Sequence, residues 1–229
     1  MKTIGLIGGM SWESTVTYYT QINQLISKEL GGLHSAKLLL ASVDFAEIES
    51  CQSANEWEKS GELLLAEALK LEMAGADFLM ICTNTMHKVY DQINENCHIP
   101  IIHIADATID KLEKNKLKKI GLLGTKYTME QDFYKKRLTD AQIEVLIPQE
   151  ADRKAVNDII FNELVLGDIK QTSKETYLHI IEKMIGEGVE GVILGCTEIG
   201  LLIKQSDVAV PVFDTTLIHS QKAVEMALE

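Results

Sequence analysis

Three short patterns in the first half of the 229-residue chain return, in the same order, in the second half. KTIGLIGG at 2–9 recurs as KIGLLGT at 119–125, GADFLMICTNT at 75–85 as GVEGVILGCTE at 188–198, and IPIIHI at 99–104 as VPVFDT at 210–215. Ile4 thus corresponds to Ile120, Thr83 to Cys196 and Pro100 to Pro211. Because order and spacing are both kept, the chain is best explained as a duplicated unit.

The repeated unit has the pattern of an α/β protein. Short apolar runs alternate with longer amphipathic segments, which is typical of parallel strands covered by helices on both faces. We therefore expect an α/β fold with two similar parallel-sheet lobes related by pseudo-two-fold symmetry. The predicted strands are Thr3–Ile7, Lys37–Val43, Asp77–Cys82, Pro100–Ile104, Ile120–Leu123, Ile143–Ile147, Gly191–Leu194 and Val210–Phe213.

Charge and composition narrow the classes of partner. The net charge is −12, which disfavours nucleic acid as a partner. No apolar run is long enough to span a membrane, and the N-terminus does not resemble a signal peptide. The four cysteines lack metal-ligand spacing, so we expect no bound metal. Because we expect no signal peptide, we also expect a cytoplasmic protein whose thiols are free.

The repeat also predicts where a ligand binds. Ligands of open α/β sheets bind beyond the carboxyl ends of the strands. Thr83, Asn84 and Thr85 follow one predicted strand, and Cys196 and Thr197 follow its counterpart. Each segment precedes a predicted helix start, where free N–H groups favour an anion. We therefore expect a small carboxylate in a cleft between the lobes, with Thr83 on one side and Cys196 on the other.

Two proton-transfer groups on opposite faces of a small carboxylate suit inversion at an α-carbon. One group removes the α-proton and the other delivers a proton to the opposite face. N–H donors can stabilise the negative charge on the carboxylate oxygens. A thiol at a helix start is a credible base, because a helix N-terminus lowers the pKa of a thiol.

Five motifs, taken together, resemble the aspartate/glutamate racemase family over essentially the whole chain. They are Gly5-x-x-Gly8-Gly9-Met10-Ser11, Thr83-Asn84-Thr85-Met86-His87, Gly124-Thr125-x-Tyr127-Thr128-Met129, Gly195-Cys196-Thr197-Glu198 and Pro211-Val212-Phe213-Asp214. The resemblance implies a cofactor-independent amino-acid racemase without pyridoxal phosphate, a homodimer, and an active site in the interlobe cleft. It also implies a first lobe of residues 1–98 plus 210–229 and a second lobe of 99–209.

The family pattern has two facing catalytic thiols, and this chain keeps only one of them. Cys196 matches the second thiol, whereas Thr83 occupies the position of the first. Cys82 lies one residue earlier, and neighbouring strand side chains point to opposite faces, so we expect it to face away from the cleft. Threonine is a poor base but can donate a proton. By carry-over from the family, we expect an acidic amino acid to be converted from L to D better than from D to L.

Further residues are expected to contact the substrate. The motifs and the symmetry of the repeat predict substrate contacts at Met10, Asn84, Thr85, Thr125, Tyr127, Thr128 and Thr197. Gln52, which follows the second predicted strand by a loop, could also reach the substrate. His87, one helical turn past Thr83, either orients a carboxylate or packs. Arg153 and Lys154 are candidates for binding a side-chain carboxylate, with surface solvation as the alternative.

Three other interpretations remain open from the residues. A dinucleotide loop at Gly8-Gly9 with Asp44 as ribose partner lacks the usual glycine spacing. A single-cysteine decarboxylase of the same fold would need only one thiol. A binding module for a small acid would need no thiol, so Cys196 argues against it.

Overall fold

All residues from 1 to 229 are described in a computed structural model of the chain. Its strands are β1 (Ile4–Gly8), β2 (Leu38–Ser42), β3 (Phe78–Ile81), β4 (Ile101–Ile102), β5 (Lys119–Gly124), β6 (Glu144–Leu146), β7 (Gly191–Gly195) and β8 (Val212–Asp214). Its α-helices are α1 (Trp12–Leu30), α2 (Phe45–Ser53), α3 (Trp57–Met73), α4 (Tyr90–Asn94), α5 (Ile104–Lys114), α6 (Lys126–Glu130), α7 (Asp132–Asp140), α8 (Glu150–Asn162), α9 (Gln171–Gly186), α10 (Ile199–Leu202) and α11 (Thr215–Leu228). Short 3₁₀ helices cover Thr85–Val89, Leu164–Leu166 and Gln205–Asp207.

The strands form two four-stranded parallel sheets. One has the order β2-β1-β3-β4 and the other the order β6-β5-β7-β8. Each sheet therefore repeats the topology of the other, as the recurring patterns predict. Every residue of β1, β3 and β7 is buried, because helices cover both faces of a parallel sheet. The expected fold class of two similar parallel-sheet lobes is confirmed.

The chain divides into two compact units at positions that differ from the expected boundaries. Unit 1 contains residues 1–104 and 219–229, and unit 2 contains residues 105–218. The expected boundaries place residues 99–104 in the second lobe and residues 210–218 in the first lobe. The pairing of the short strands accounts for the difference: β4 pairs with β3, and β8 pairs with β7.

The turn after β1 depends on Gly9. Its φ of +91° lies in the left-handed region, and an added Cβ would come within 2.2 Å of the Val43 carbonyl oxygen. The glycines at this turn therefore allow the β1–α1 loop to pass close to the end of β2. Asp44 caps α2, since its carboxylate accepts from Ala46 N–H at 3.0 Å. The glycine turn and Asp44 therefore both have structural roles that do not require a bound dinucleotide.

Apolar clusters fill the space between helices and sheets in each unit. In unit 1, β1 and β3 contribute Ile4, Leu6 and Phe78 to a cluster that packs on α1 and α11. In unit 2, β5 and β7 pack against α8 and α9. None of the helices combines the length and apolar character needed to cross a bilayer.

Candidate active site

The two predicted catalytic residues, Thr83 and Cys196, follow the carboxyl ends of strands, one in each unit. In unit 1, the chain turns out of β3 through Cys82, Thr83 and Asn84 into the 3₁₀ helix that begins at Thr85. In unit 2, it turns out of β7 through Cys196 to Glu198 into α10. In both units the strand is followed by the start of a helix, and the first N–H groups of a helix have no partner within that helix. Both turns therefore present backbone N–H groups.

Cys196 is a nearly buried thiol with a carboxylate partner. Its side chain is 9% exposed, and its Sγ donates to Glu198 Oε2 over 3.1 Å. Burial raises the pKa of the Cys196 thiol well above its ordinary value, and the nearby negative charge and hydrogen bond of Glu198 raise it further. Hydrogen bonds from the N–H groups of Glu198 and Ile199 oppose this rise and lower the pKa. The raised pKa favours the protonated thiol of Cys196 over the thiolate.

This finding corrects the expectation of a lowered pKa at a helix start. The helix that follows, α10, has only four residues, and its N–H groups stabilise the thiolate less than burial and Glu198 destabilise it. Formation of a thiolate would require an acceptor for the thiol proton, and Glu198 Oε2 lies within hydrogen-bond distance of Cys196 Sγ.

Glu198 is a site residue that the sequence analysis treated only as part of a motif. It is 3% exposed, and the same Oε2 that faces the thiol also accepts from Thr197 Oγ1 at 2.6 Å. Glu198 is the residue before α10 but makes no side-chain capping bond to that helix. The Gly195-Cys196-Thr197-Glu198 motif was the available signal, because it places a carboxylate two residues from the thiol. Thr197, an expected substrate contact, is thus oriented by Glu198.

The loop after β5 lies beside the thiol loop within unit 2. Thr125 caps α6, and its Oγ1 accepts from Thr128 N–H at 3.3 Å. A Cβ added at Gly195 would come within 2.9 Å of the Leu123 carbonyl and 3.2 Å of Thr128 Cγ2. The two loops can therefore approach closely because Gly195 lacks a side chain. The structure thus brings Thr125 and Thr128 next to the segment that carries Cys196.

Tyr127 lies in α6, which follows this loop, and is half-buried. The ammonium of Lys126 lies 5.1 Å from the centre of its ring, within the range of a cation–π contact.

Thr83 is half-buried, and its backbone is held on two sides. Its N–H donates to the Ile81 carbonyl at 2.9 Å, and its carbonyl receives a hydrogen bond from His87 Nδ1 at 2.8 Å. These bonds use the backbone of Thr83, so they fix the loop without engaging the hydroxyl.

His87 is a positioning residue in this structure. Ile104 N–H donates to its Nε2 at 3.2 Å, so Nε2 carries no proton and the proton is on Nδ1, which faces the Thr83 carbonyl. Both ring nitrogens are therefore engaged with backbone groups, and His87 is buried at 2% exposure. Of the two roles considered for it, packing fits this geometry. Orienting a substrate carboxylate does not.

Cys82 packs in the core. It is fully buried in the cluster that contains Tyr18 and Met80, and burial raises the pKa of its thiol. This placement agrees with the expectation that Cys82 faces the opposite side of the strand from Thr83.

The other expected contacts of unit 1 are buried near the ends of β1 and β3. Met10 follows β1, and Asn84 and Thr85 follow β3. Gln52 lies in α2, and its Nε2 donates to Met86 Sδ at 3.1 Å.

The two expected cations for a side-chain carboxylate have partners elsewhere. Arg153 Nε donates to Glu130 Oε1 at 2.8 Å, and its Nη1 donates to the Pro148 carbonyl at 2.9 Å. Lys154 pairs with Asp158 one helical turn away. These residues line an open groove of about 780 Å³ at the start of α8. The described side chains form no group of three or more His, Cys, Asp or Glu residues able to hold a metal ion.

Comparison with known proteins assigns the chain to a family. Residues 7–223 match the model of the Asp/Glu/hydantoin racemase family. A crystal structure of a candidate Asp/Glu racemase from Yersinia pestis is 53% identical over all of both chains, with a TM-score of 0.94. An aspartate racemase homologue from Pyrococcus horikoshii OT3 is 40% identical over all of both chains, with a TM-score of 0.86. The broad specificity amino-acid racemase RacX of Bacillus subtilis (strain 168) is 24% identical over 98% of each chain. The chain belongs to the Asp/Glu/hydantoin racemase family.

Proposed function

We propose that the protein is a cofactor-independent racemase of an acidic amino acid, aspartate or glutamate. The observation that carries the proposal is the hydrogen bond from the Cys196 thiol to the Glu198 carboxylate. A protein that only bound a small acid would gain nothing from a buried thiol paired with a proton acceptor. A racemase needs that pair, because a thiolate must form before an α-proton can be removed.

In the proposed reaction Glu198 accepts the proton of Cys196, and the resulting thiolate takes the α-proton of the L-amino acid. Cys196 is then a thiol again, and the substrate is a carbanion whose charge spreads onto its carboxylate. Thr83 donates its hydroxyl proton to the opposite face of the same Cα and recovers a proton from water. Glu198 returns the first proton to solvent, so the net change is inversion at Cα without net proton uptake.

The proposed direction follows from the chemistry of the two groups. Cys196 has a partner that accepts its proton, whereas a threonine hydroxyl ionises only at very high pH. Thr83 therefore serves as donor far better than as base. We propose that kcat is higher from L substrate than from D substrate. The equilibrium constant between enantiomers is one, so kcat/KM is the same in both directions and KM differs in the same proportion as kcat.

A second candidate is a racemase of amino acids without a side-chain carboxylate. The ion pairs of Arg153 with Glu130 and of Lys154 with Asp158 favour it, since a cation already paired is a weaker ligand for a substrate carboxylate. The name of the Bacillus subtilis relative describes such breadth for that protein. The two candidates differ in substrate and share the reaction.

The test is incubation with each common L- and D-amino acid, and with substituted malonates, in D2O. Chiral chromatography reports inversion, and NMR reports deuterium at Cα. We expect both with aspartate or glutamate, unchanged by a chelator and by hydroxylamine. Inversion of only uncharged amino acids would select the second candidate. Loss of carbon dioxide from malonates without inversion, or no exchange with any substrate, would overturn racemisation.

Replacing Cys196 by Ser should reduce inversion and α-deuterium exchange by at least about 100-fold, because the base is lost. Cys82→Ala is the matched control, since Cys82 is a buried thiol in the core. That control should retain most of its rate per folded molecule. Equal loss in both variants would show that Cys196 has no special role.

A further inference from the structure

Thr83, the proposed proton donor, has little conformational freedom of its own. Branching at Cβ makes rotation of a threonine side chain about its Cα–Cβ bond stiff. The direction of the hydroxyl is therefore set by the backbone on either side of the residue. A displacement of about 1 Å at a reacting group can reduce a rate about 100-fold, so the backbone at this position bears directly on proton transfer.

Ser14 holds the peptide group that precedes Thr83. Its Oγ donates to the Cys82 carbonyl oxygen over 3.0 Å, and this carbonyl belongs to the peptide bond that links Cys82 to Thr83. The N–H of Cys82 donates to the Ile7 carbonyl at 2.9 Å, which continues the pairing of β3 with β1. The bond from Ser14 is buried, so water does not weaken it by competition.

The fold gives Ser14 a fixed position at the start of α1. Its own N–H donates to the Ser11 hydroxyl at 3.2 Å, which caps the helix. Its spacing of four, eight and twelve residues from Tyr18, Ile22 and Ile26 places it on the buried face of α1. On this largely apolar face, the hydroxyl of Ser14 finds its acceptor at the end of β3.

His87 holds the peptide group that follows Thr83. Its Nδ1 donates to the Thr83 carbonyl at 2.8 Å, and its Nε2 accepts from Ile104 N–H at 3.2 Å. The rings of His103 and Tyr90 lie beside it, with centroids 4.6 Å and 6.4 Å away. Because it is bound at both nitrogens and enclosed by these rings, the imidazole cannot turn away without losing both hydrogen bonds.

We propose that Ser14 and His87 are positioning residues, which fix the two peptide groups flanking Thr83 and thereby aim its hydroxyl at the substrate α-carbon. We call their two hydrogen bonds the Thr83 clamp. The inference rests on the proposed function, in which Thr83 gives a proton to the carbanion. Both residues act through Thr83, so their effect falls on that protonation and not on removal of the α-proton by Cys196.

The clamp therefore controls the fate of the carbanion. Once Cys196 has taken the α-proton of an L-amino acid, a proton from Thr83 gives the D-amino acid, whereas a proton from Cys196 regenerates the L-amino acid. A displaced Thr83 hydroxyl slows only the first outcome. In D2O the Cys196 thiol exchanges its proton with solvent, so return leaves deuterium at Cα of the recovered L-amino acid.

The test compares Ser14→Ala with Ser60→Ala. Ser60 is also a buried helical serine of unit 1, and its Oγ donates to the Glu56 carbonyl at the start of its own helix. Each variant is incubated in D2O, over the first few per cent of conversion, with the L-amino acid that the wild type inverts. The ratio of deuterium in recovered L-amino acid to D-amino acid formed should rise at least about 10-fold in Ser14→Ala and stay unchanged in Ser60→Ala.

His87 provides a second pair of variants. Glutamine can donate and accept at the same places, whereas leucine keeps a similar size and loses both bonds. We expect His87→Leu to raise the ratio at least about 10-fold and His87→Gln to recover most of the wild-type value. Circular dichroism checks that each variant is folded. A loss of folded protein alone lowers exchange and inversion equally, so it does not change the ratio.

A second measurement covers the case in which Cys196 returns the original proton before it exchanges with solvent. Slower protonation by Thr83 then raises the solvent isotope effect on inversion and lowers the α-deuterium isotope effect. If the wild type inverts its substrate and neither measure changes in Ser14→Ala and His87→Leu, the clamp is overturned and racemisation stands. An equal change in Ser60→Ala would also overturn the clamp. Absence of exchange and inversion in the wild type would overturn the proposed function, and the clamp with it.

Discussion

Glu198 raises the pKa of the Cys196 thiol and is also the proposed acceptor of its proton. These two effects can be separated by Glu198→Gln, which removes the charge and keeps the size. The Cys196 pKa should fall, because one of the causes that raise it is gone. The thiolate should therefore form at lower pH, while turnover falls about 100-fold for lack of a proton acceptor.

Ultraviolet thiolate absorbance, corrected with Cys196→Ser, measures the first effect, and the initial rate of inversion measures the second. Glu187→Gln is the control, since Glu187 is exposed at the end of α9. An unchanged rate with a lowered pKa would contradict the role of Glu198 as acceptor. An unchanged pKa would contradict the contact itself.

Thr83→Cys should restore a second thiol. Because a thiol can lose a proton far more readily than a threonine hydroxyl, the rate at saturating substrate should gain more in the slower direction than in the faster one. Initial rates from pure L and pure D substrate, in both proteins, measure the gain. Each tenfold change corresponds to about 1.4 kcal/mol of barrier. Equal kcat values from both enantiomers in the wild type would show that Thr83 does not limit either direction.

At the scale of elements, the close approach of the β1–α1 loop to β2 shapes the end of the first sheet. Gly9→Ala places a Cβ within 2.2 Å of the Val43 carbonyl, in addition to the strain of a positive φ. Gly32→Ala is the matched control, because Gly32 also has a positive φ but open space around it. We expect Gly32→Ala to cost about 1 kcal/mol of unfolding free energy and Gly9→Ala several kcal/mol, measured by urea denaturation.

Equal losses in the two glycine variants would show that β2 moves away at little cost. In that case the position of Met10, directly after Gly9, would not be fixed by the neighbouring strand.

At the scale of the whole molecule, the free energy of unfolding should depend on the protonation of His219. This residue lies near the end of the chain and forms hydrogen bonds with Tyr18 and Ile102 in the first half. His219 in α11 donates from Nε2 to the Ile102 carbonyl at 3.0 Å and accepts from Tyr18 through Nδ1 at 2.9 Å. Burial first, and then the neighbouring His87, lowers the pKa of His219 to about 3. Below pH 6.5 the unfolded chain therefore binds a proton that the native protein does not, and stability falls as the pH decreases.

Comparison with His219→Gln isolates this contribution, because glutamine can keep both hydrogen bonds and does not titrate. Between pH 7.5 and 4.5 the wild type should lose about 2–3 kcal/mol more unfolding free energy than the variant. Urea denaturation at several pH values measures the difference. Parallel losses would show that the pKa of His219 is not lowered in the native protein.

The sequence by itself determined the architecture and the family. The spacing of apolar runs is a local property of the chain, and its repetition predicted two parallel sheets of the same strand order. The motif around Cys196 identified this residue as the candidate catalytic cysteine. The alternation of strand side chains separated Thr83 from Cys82, which the core cluster bears out.

Only the tertiary structure decided which partner each polar side chain has. Arg153 is held by Glu130 from a neighbouring helix, and His87 by the backbone of Ile104, across distances that no local pattern records. Even Glu198, two residues from the thiol, was ambiguous, because a residue before a helix can cap it or turn inward. Burial favours the inward orientation, because a buried thiol and a buried hydroxyl need a hydrogen-bond acceptor. Both Cys196 Sγ and Thr197 Oγ1 donate to Glu198 Oε2.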